Sequence, residues 1–175
     1  MSRFEGPRPL VAGDDTNTFD CGEPEINSWL CTRALRAEAT RTARTYVTTD
    51  AATNSIAGFY CLSAYSVNRE EAGGGWLVRN APDPVPVILL GRLGVDLHYH
   101  RQGLGAALLK DALLKSISAA RLIGARALVV HAINASVTAF YQHYGFRQMP
   151  GADQTMYLPL EQLLTSVPAV RTSSS

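Results

Sequence analysis

Apolar and polar positions change period several times along the chain, and each change predicts an element. Ile26, Trp29, Leu30 and Leu35 recur at helical spacing behind Glu23, Pro24 and Glu25. Those three suit a first helical turn, because proline needs no N–H there and acids complement the positive end of the helix dipole. Residues 1–18, rich in Pro, Gly, Asp and Thr, predict mostly extended or loop structure. Residues 44–49 (Arg-Thr-Tyr-Val-Thr-Thr) are β-branched and aromatic and predict a strand, 50–54 a turn, and 56–66 the next strand, giving an antiparallel pair. Gly73, Gly74 and Gly75, then residues 80–86, punctuate a long connection. Residues 87–96 form an apolar strand interrupted by Gly91, Arg92 and Gly94. A glycine-containing turn over 98–105 opens a helix over 106–122, with Ala107, Leu108, Leu114, Ile117 and Leu122 as core positions and Gly124 as its stop. Residues 126–131 read as a buried strand, 136–144 as a short helix ending at Gly145, and 155–160 as a last strand. Strand, helix, strand over 87–131 implies parallel strands joined by a right-handed crossover. The expectation is one α/β domain over residues 1–164, followed by a disordered tail over 165–175 that ends in Ser-Ser-Ser.

Composition narrows the function classes. Hydrophobic residues make up 46% of the 175, enough for a sizeable core, and the formal net charge is +1. That balance excludes a wholesale nucleic-acid coat while leaving room for a local basic patch. Cys21, Cys31 and Cys61 are widely spaced, and an odd number without a Cys-x-x-Cys pair fits reduced thiols that act as small buried hydrophobes. The first ten residues hold no apolar signal-peptide core, and no apolar run approaches the ~18 residues that span a bilayer. A soluble, cytoplasmic protein without a membrane role is expected, and no residue set calls for a metal.

The turn over 98–105 carries the first chemical signal. A glycine turn that opens a helix is an anion site, since successive backbone N–H groups point outward and the helix dipole favours negative charge. Gly103 and Gly105 let the backbone approach a pyrophosphate without an intervening Cβ. A P-loop would need Gly-x-x-x-x-Gly-Lys-Ser/Thr, which is absent; a dinucleotide fingerprint would need a small residue where Leu108 stands. An ordinary glycine turn remains the alternative to a phosphate site.

Residues 100–109 (His-Arg-Gln-Gly-Leu-Gly-Ala-Ala-Leu-Leu) resemble the pyrophosphate loop of the GNAT family of N-acetyltransferases, written Gln/Arg-x-x-Gly-x-Gly/Ala. His100 stands where the formula has Gln or Arg; the register Gln102, Gly105, Ala107 satisfies it but puts the second position inside the helix. Asn134 followed by Ala139-Phe140-Tyr141-Gln-His-Tyr144-Gly145-Phe146 is similar to the family's closing segment. The resemblance implies an α/β GNAT fold: a mixed central sheet, helices on both faces, and a splay between the two parallel central strands. It implies acetyl-CoA as cosubstrate, held by Leu93, Gly94, Val95, His100, Arg101, Gln102, Gly103, Leu104, Gly105, Ala106, Asn134 and Phe140, the last two in the closing segment. It implies Tyr141 as the acid that protonates the departing thiolate; a phenol with a pKa of about 10 is protonated at neutral pH. A backbone N–H near Val95 would hold the oxyanion. For a general base, Glu70, Glu71, Asp96 and His131 are conceivable, His131 reading more simply as a core histidine, and a water chain could suffice for an α-amine with a pKa of about 7.7–8.0.

Residues 19–30 (Phe-Asp-Cys-Gly-Glu-Pro-Glu-Ile-Asn-Ser-Trp-Leu), with 44–47, 57–60, 84–88, 91–96 and 130–132, resemble one subgroup, the TacT-like toxins of type II toxin–antitoxin pairs. The resemblance spans about residues 18–160. It implies acetylation of the α-amine of aminoacyl-tRNA and arrest of translation, a ribbon-helix-helix antitoxin as partner, DNA contact only through that antitoxin, and a homodimer. Arg33, Arg36, Arg41, Arg44 and Arg92 are the expected tRNA contacts, with Arg101 extending the path; Arg33 and Arg36 fall three apart on a helix face, and Arg92 inside an apolar strand needs a partner or a role. A GNAT enzyme acting on a small amine or protein N-terminus, and a catalytically silent GNAT binding module, are the alternatives.

Overall fold

Residues 2–161 and 163 are described by a computed structural model. The chain is α/β and packs as two compact units, Met1–Tyr65 with Ile88–Lys115 and Ser66–Val87 with Ser116–Ser175.

In the first unit consecutive strand residues are buried on both faces, Val47, Thr48 and Thr49 in one strand and Ile56, Ala57, Phe59 and Tyr60 in the next. Strand β1 (Phe4–Pro9) is followed by helices α1 (Pro24–Thr32) and α2 (Ala34–Thr40), then strands β2 (Arg44–Asp50) and β3 (Ile56–Val67). β2 and β3 form the expected antiparallel pair, with Tyr46 opposite Tyr60 and Val47 opposite Phe59. β1 lies at the outer edge, where Pro7 and Pro9 cost no ladder bond. Its register shifts between Glu5 and Arg8, where Gly6 takes φ +98° and a Cβ would stand 2.8 Å from the Val47 carbonyl.

Two helices stand where one was expected. The backbone leaves helical geometry at Arg33 (φ −124°, ψ −26°), so Leu35 starts a new stripe and is exposed rather than core. Trp29, Leu30 and Ala34 close over Phe19, Val47, Ile56 and Phe59. Phe59 meets Phe19 edge to face at 5.3 Å and stacks on Trp29 at 6.3 Å.

A short helix α3 (Arg69–Ala72), with an Asn68–Glu71 capping box, and a 3-10 turn at Trp76–Val78 occupy the glycine-rich connection. Strand β4 (Val85–Val95) then pairs with β3, and helix α4 (Leu104–Ile123) follows the turn. α4 lies close on β3 because Gly58 has no side chain: a Cβ there would fall 2.8 Å from Leu108 Cδ1. The buried stripe of α4 runs Leu104, Leu108, Ala112, Ser116, Ala120, with Leu109 and Ile117 beside it. Leu108 and Ile117 were expected there, but Ala107, Leu114 and Leu122 are exposed, Leu122 by 84%. Leu114 and Leu122 each fall two residues past a stripe position, about 200° around the helix. Gly124, at φ +78°, ends α4 as expected.

In the second unit β5 (Ala127–His131) pairs antiparallel with β7 (Thr155–Pro159), and the two-residue β6 (Arg147–Gln148), not foreseen, pairs with β7. Helix α5 (Ala135–His143) ends at Gly145, φ +92°. Arg126 stacks 4.4 Å from the Trp76 ring and donates to the carbonyls of Trp76 and Arg79, tying the 3-10 turn to the start of β5. The tail over residues 165–175 lies outside the described residues.

Candidate active site

The end of β4, the turn after it and the first turn of α4 contain ten of the twelve residues expected to hold the acetyl donor. Leu93, Gly94 and Val95 close the strand, and Gly94 is covered by residues 21–26: a Cβ there would lie 3.2 Å from Ile26 Cγ2 and 3.3 Å from Cys21 Sγ. Asp96 then organises the turn. Its buried carboxylate accepts from the N–H groups of Asp20 at 3.0 Å and His98 at 2.9 Å, and from His98 Nδ1 at 2.7 Å. Leu97 N–H donates to the Asp20 carbonyl at 2.8 Å. The His100 ring closes back on the strand, Nε2 donating to the Val95 carbonyl at 2.7 Å. This explains the histidine where the family formula has Gln or Arg: that ring nitrogen braces the turn from within.

Past that brace the chain reverses through two left-handed residues, Arg101 at φ +62° and Gly103 at φ +77°. For Arg101 this conformation costs about 1–2 kcal/mol, a strain the surrounding bonds must hold. Ala107 N–H donates to the Gly103 carbonyl, so the N–H groups of Leu104, Gly105 and Ala106 precede the first intrahelical bond and have no partner within the helix. Nothing lies within 4 Å of where a Gly103 Cβ would stand, which leaves that face open. Open space, consecutive backbone donors and the positive end of a 20-residue helix together fit a pyrophosphate.

The arginines fall into a second region of the same unit. Arg33 and Arg36 line a concavity of about 520 Å³ with Trp29, Thr32, Ala37, Thr40 and Thr42. The two do not share a helix as expected, because Arg33 is the joint between α1 and α2; the concavity brings them together instead. Arg92 sits with its guanidinium 4.8 Å from the Trp29 ring centroid, which resolves how β4 tolerates an arginine. Beside it the Cys61 thiol is pushed up to about 11, by burial above all. Arg41 is exposed at the left-handed end of α2, and Arg44 pairs with Glu38 at 3.3 Å. Cys61 is buried as expected, but Cys21 is half-buried and Cys31 exposed; all three are free thiols.

Asn134, Phe140 and Tyr141 belong to the second unit. Asn134 caps α5, its Oδ1 accepting from Val137 N–H at 2.9 Å. Tyr141 is 6% exposed and packed against Phe140 and Phe146, each ring 5.1 Å away. The Tyr144 and Phe146 N–H groups both donate to the Tyr141 carbonyl, so the tyrosine sits in a fastened helix end.

Of the four conceivable bases, Asp96 has both oxygens engaged and Glu71 is committed to its capping box. His131 is exposed at the end of β5, not in the core, with Nδ1 3.3 Å from Thr155 Oγ1. Glu70 is exposed. Among the described residues no group of three His, Cys, Asp or Glu could hold a metal, and no helix is long and apolar enough to cross a membrane.

Asp96, conceivable as a base from its residue type, is instead the organiser of the turn. An Asp directly after a strand and before a turn is a cap signal that local reading can find.

Residues 31–156 match the acetyltransferase (GNAT) domain family. The chain is 41% identical over 150 residues to the tRNA-acetylating toxin of Mycobacterium tuberculosis, covering 86% of this chain and 89% of that one. Among solved structures it is similar to AtaT complexed with acetyl-methionyl-tRNAfMet, with a TM-score of 0.82 and 26% identity over 93% of this chain and 97% of that one. A tyrosine-to-phenylalanine mutant of AtaT, bound to the C-terminus of the antitoxin AtaR and to acetyl-CoA, superimposes with a TM-score of 0.77 and 26% identity over 94% of this chain and 99% of that one.

Proposed function

The chain belongs to the GNAT acetyltransferase family, and from that premise we propose that it is a toxin that moves the acetyl group of acetyl-CoA onto the α-amine of the amino acid carried by a charged tRNA. The 41% identity to a tRNA-acetylating toxin, sustained over 86% of the chain, carries this reading. The product has an amide where the ribosome needs a nucleophilic amine, so translation stops.

The backbone N–H groups of residues 103–106 bind the donor's pyrophosphate, and the strand end at Leu93, Gly94 and Val95 aligns its pantetheine arm. The Asn134 side-chain NH2, its Oδ1 already committed to the cap, donates to the donor, and Phe140 packs against it. The neutral amine attacks the thioester carbonyl, and a C–N bond forms. A backbone N–H near Val95 stabilises the oxyanion. As the C–S bond breaks, the thiolate takes the Tyr141 phenol proton; the amine's proton passes to water, which later reprotonates the tyrosinate. No side-chain base is required, since an α-amine with a pKa of about 7.7–8.0 is partly neutral at physiological pH. Arg33, Arg36 and Arg92 hold the tRNA through its phosphates, with Arg41, Arg44 and Arg101 at the margin.

The neighbour bound to AtaR supports an antitoxin as partner. We assign that partner to the ribbon-helix-helix class, with DNA contacted only through it, and the toxin to a cytoplasmic homodimer. Labelled acetyl-CoA, incubated with the protein and a pool of charged tRNAs, should leave its label on the α-nitrogen of the aminoacyl group. Label on free amines or peptides but never on charged tRNA would rule the reading out.

A further inference from the structure

Side chains from the far side of the first unit reach the turn after β4, and the mechanism above does not use them. Tyr99, buried in the 3-10 turn that precedes the two left-handed residues, donates its hydroxyl to Asp50 Oδ2 at 2.9 Å. Asp50 ends β2 and pairs with Phe4 of β1. Next to that pair, Ala51 N–H donates to the Arg3 carbonyl at 2.8 Å. From there the Arg3 side chain runs over the turn. Its guanidinium carbon lies 5.2 Å from the Tyr99 ring centroid and 5.6 Å from the Phe4 ring, and the two rings meet edge to face at 5.7 Å. Nη1 donates to Gln102 Oε1 at 2.8 Å, and Nη2 stands 4.0 Å from Asp50 Oδ2.

Gln102 sits between Arg101 and Gly103, both left-handed. The torsions on either side of it decide where the N–H groups of residues 103–106 point. A planar cation stacked on two rings and hydrogen-bonded to that one side chain is a clamp with a defined direction.

We propose that Arg3 is a positioning residue for the acetyl donor, clamping Gln102 against Tyr99 so that the turn is held ready to receive the pyrophosphate. The proposal rests on the reading of residues 103–106 as the pyrophosphate site. Arg3 acts through the turn and touches no reacting atom. It therefore lowers the ordering cost of donor binding without changing the chemical step.

The test compares wild type, Arg3→Ala, Arg3→Lys, Gln102→Ala and the Arg3→Ala/Gln102→Ala double variant. Calorimetry gives Kd for acetyl-CoA and for acetyl-dephospho-CoA, which lacks the 3′-phosphate; kcat is measured at saturating donor and charged tRNA. Arg3→Ala should weaken both donors equally, by about threefold to tenfold, with kcat within about twofold of wild type. Arg3→Lys, which keeps the charge and loses the planar fork, should behave like Arg3→Ala. The double variant should be no weaker than Gln102→Ala alone, because the two side chains act as one unit. An unchanged Kd in Arg3→Ala overturns the proposal. So does a loss confined to the 3′-phosphorylated donor, which would make Arg3 a phosphate ligand, and so does full recovery with lysine, which would reduce it to a charge. Failure of wild type to bind either donor would remove the pyrophosphate reading itself.

Discussion

At the turn over residues 96–106 the groups proposed to meet a ligand are backbone N–H groups, and the side chains lie behind them: Asp96, Tyr99 and His100 all bond inward. At the concavity between α1 and α2 the order is reversed. Arg33 and Arg36 offer the charge themselves, from a surface whose backbone is ordinary helix and joint. A pyrophosphate is the same in every donor molecule, so a fixed array of donors suits it, whereas the phosphates of a tRNA are many and spread out, so long cationic side chains suit them. The two regions should therefore fail differently: the turn through geometry and the concavity through charge.

The largest effect should come from the residue that organises the turn. Asp96→Ala leaves the backbone N–H groups of Asp20 and His98 without their shared acceptor and frees the exposed His98 ring, which should destabilise the fold by about 2 kcal/mol and abolish acetyl-CoA binding, read by urea denaturation and calorimetry. Gly103→Val forces a β-branched residue to φ +77° and should weaken acetyl-CoA about tenfold or more while leaving tRNA affinity intact. Arg33→Ala and Arg36→Ala should each weaken charged-tRNA binding severalfold and reduce the slope of log K against log salt by about 1, with Kd for acetyl-CoA unchanged. A tRNA effect of Gly103→Val as large as its donor effect would break the comparison. His100→Ala removes one brace of the turn, so it should cost only about twofold to fourfold in acetyl-CoA affinity, less than Gly103→Val.

The smallest effect is on acid stability, and the arginine concavity has no part in it. The Arg8 hydrogen bond holds the Asp14 carboxyl below the usual carboxylate range; the Ala52 N–H, with Tyr99 and Arg3, does the same for Asp50. Groups with depressed folded pKa values add stability that is fully present above the ordinary carboxylate value of about 3.9 and is lost as pH falls through the lower folded values. The thermal midpoint should thus stay flat from pH 7 to about 5 and fall below about pH 4, and Asp14→Asn should flatten part of that fall.

The periodic parts of the chain were legible. β2 and β3 announce themselves by β-branched runs, and α4 by its apolar spacing and the Gly124 stop. The break at Arg33 was not, because Thr32-Arg33-Ala34 holds no glycine or proline to stop a helix; the joint belongs to how Trp29, Leu30 and Ala34 close over the sheet. Leu122 misled because hydrophobicity alone does not say which face of a helix is covered. In the site, the glycine turn opening a helix was readable from Gly103 and Gly105, whereas its phosphate role and the roles of Asn134 and Tyr141 stand as proposals. The clamp from Arg3 to Gln102 spans 99 residues and has no local signature, since it exists only once β1 has paired with β2.

Both proposed binding regions are distinct from the proposed acid of the chemical step, Tyr141. The most direct measurement is kcat for acetyl transfer to charged tRNA by Tyr141→Phe, at saturating concentrations of both substrates, with Kd for each determined on the same preparation. Both affinities should stay within about twofold of wild type, and kcat should fall by about a hundredfold or more. A kcat near wild type would contradict the account, because the thiolate would then be leaving without the proton that Tyr141 is held to supply.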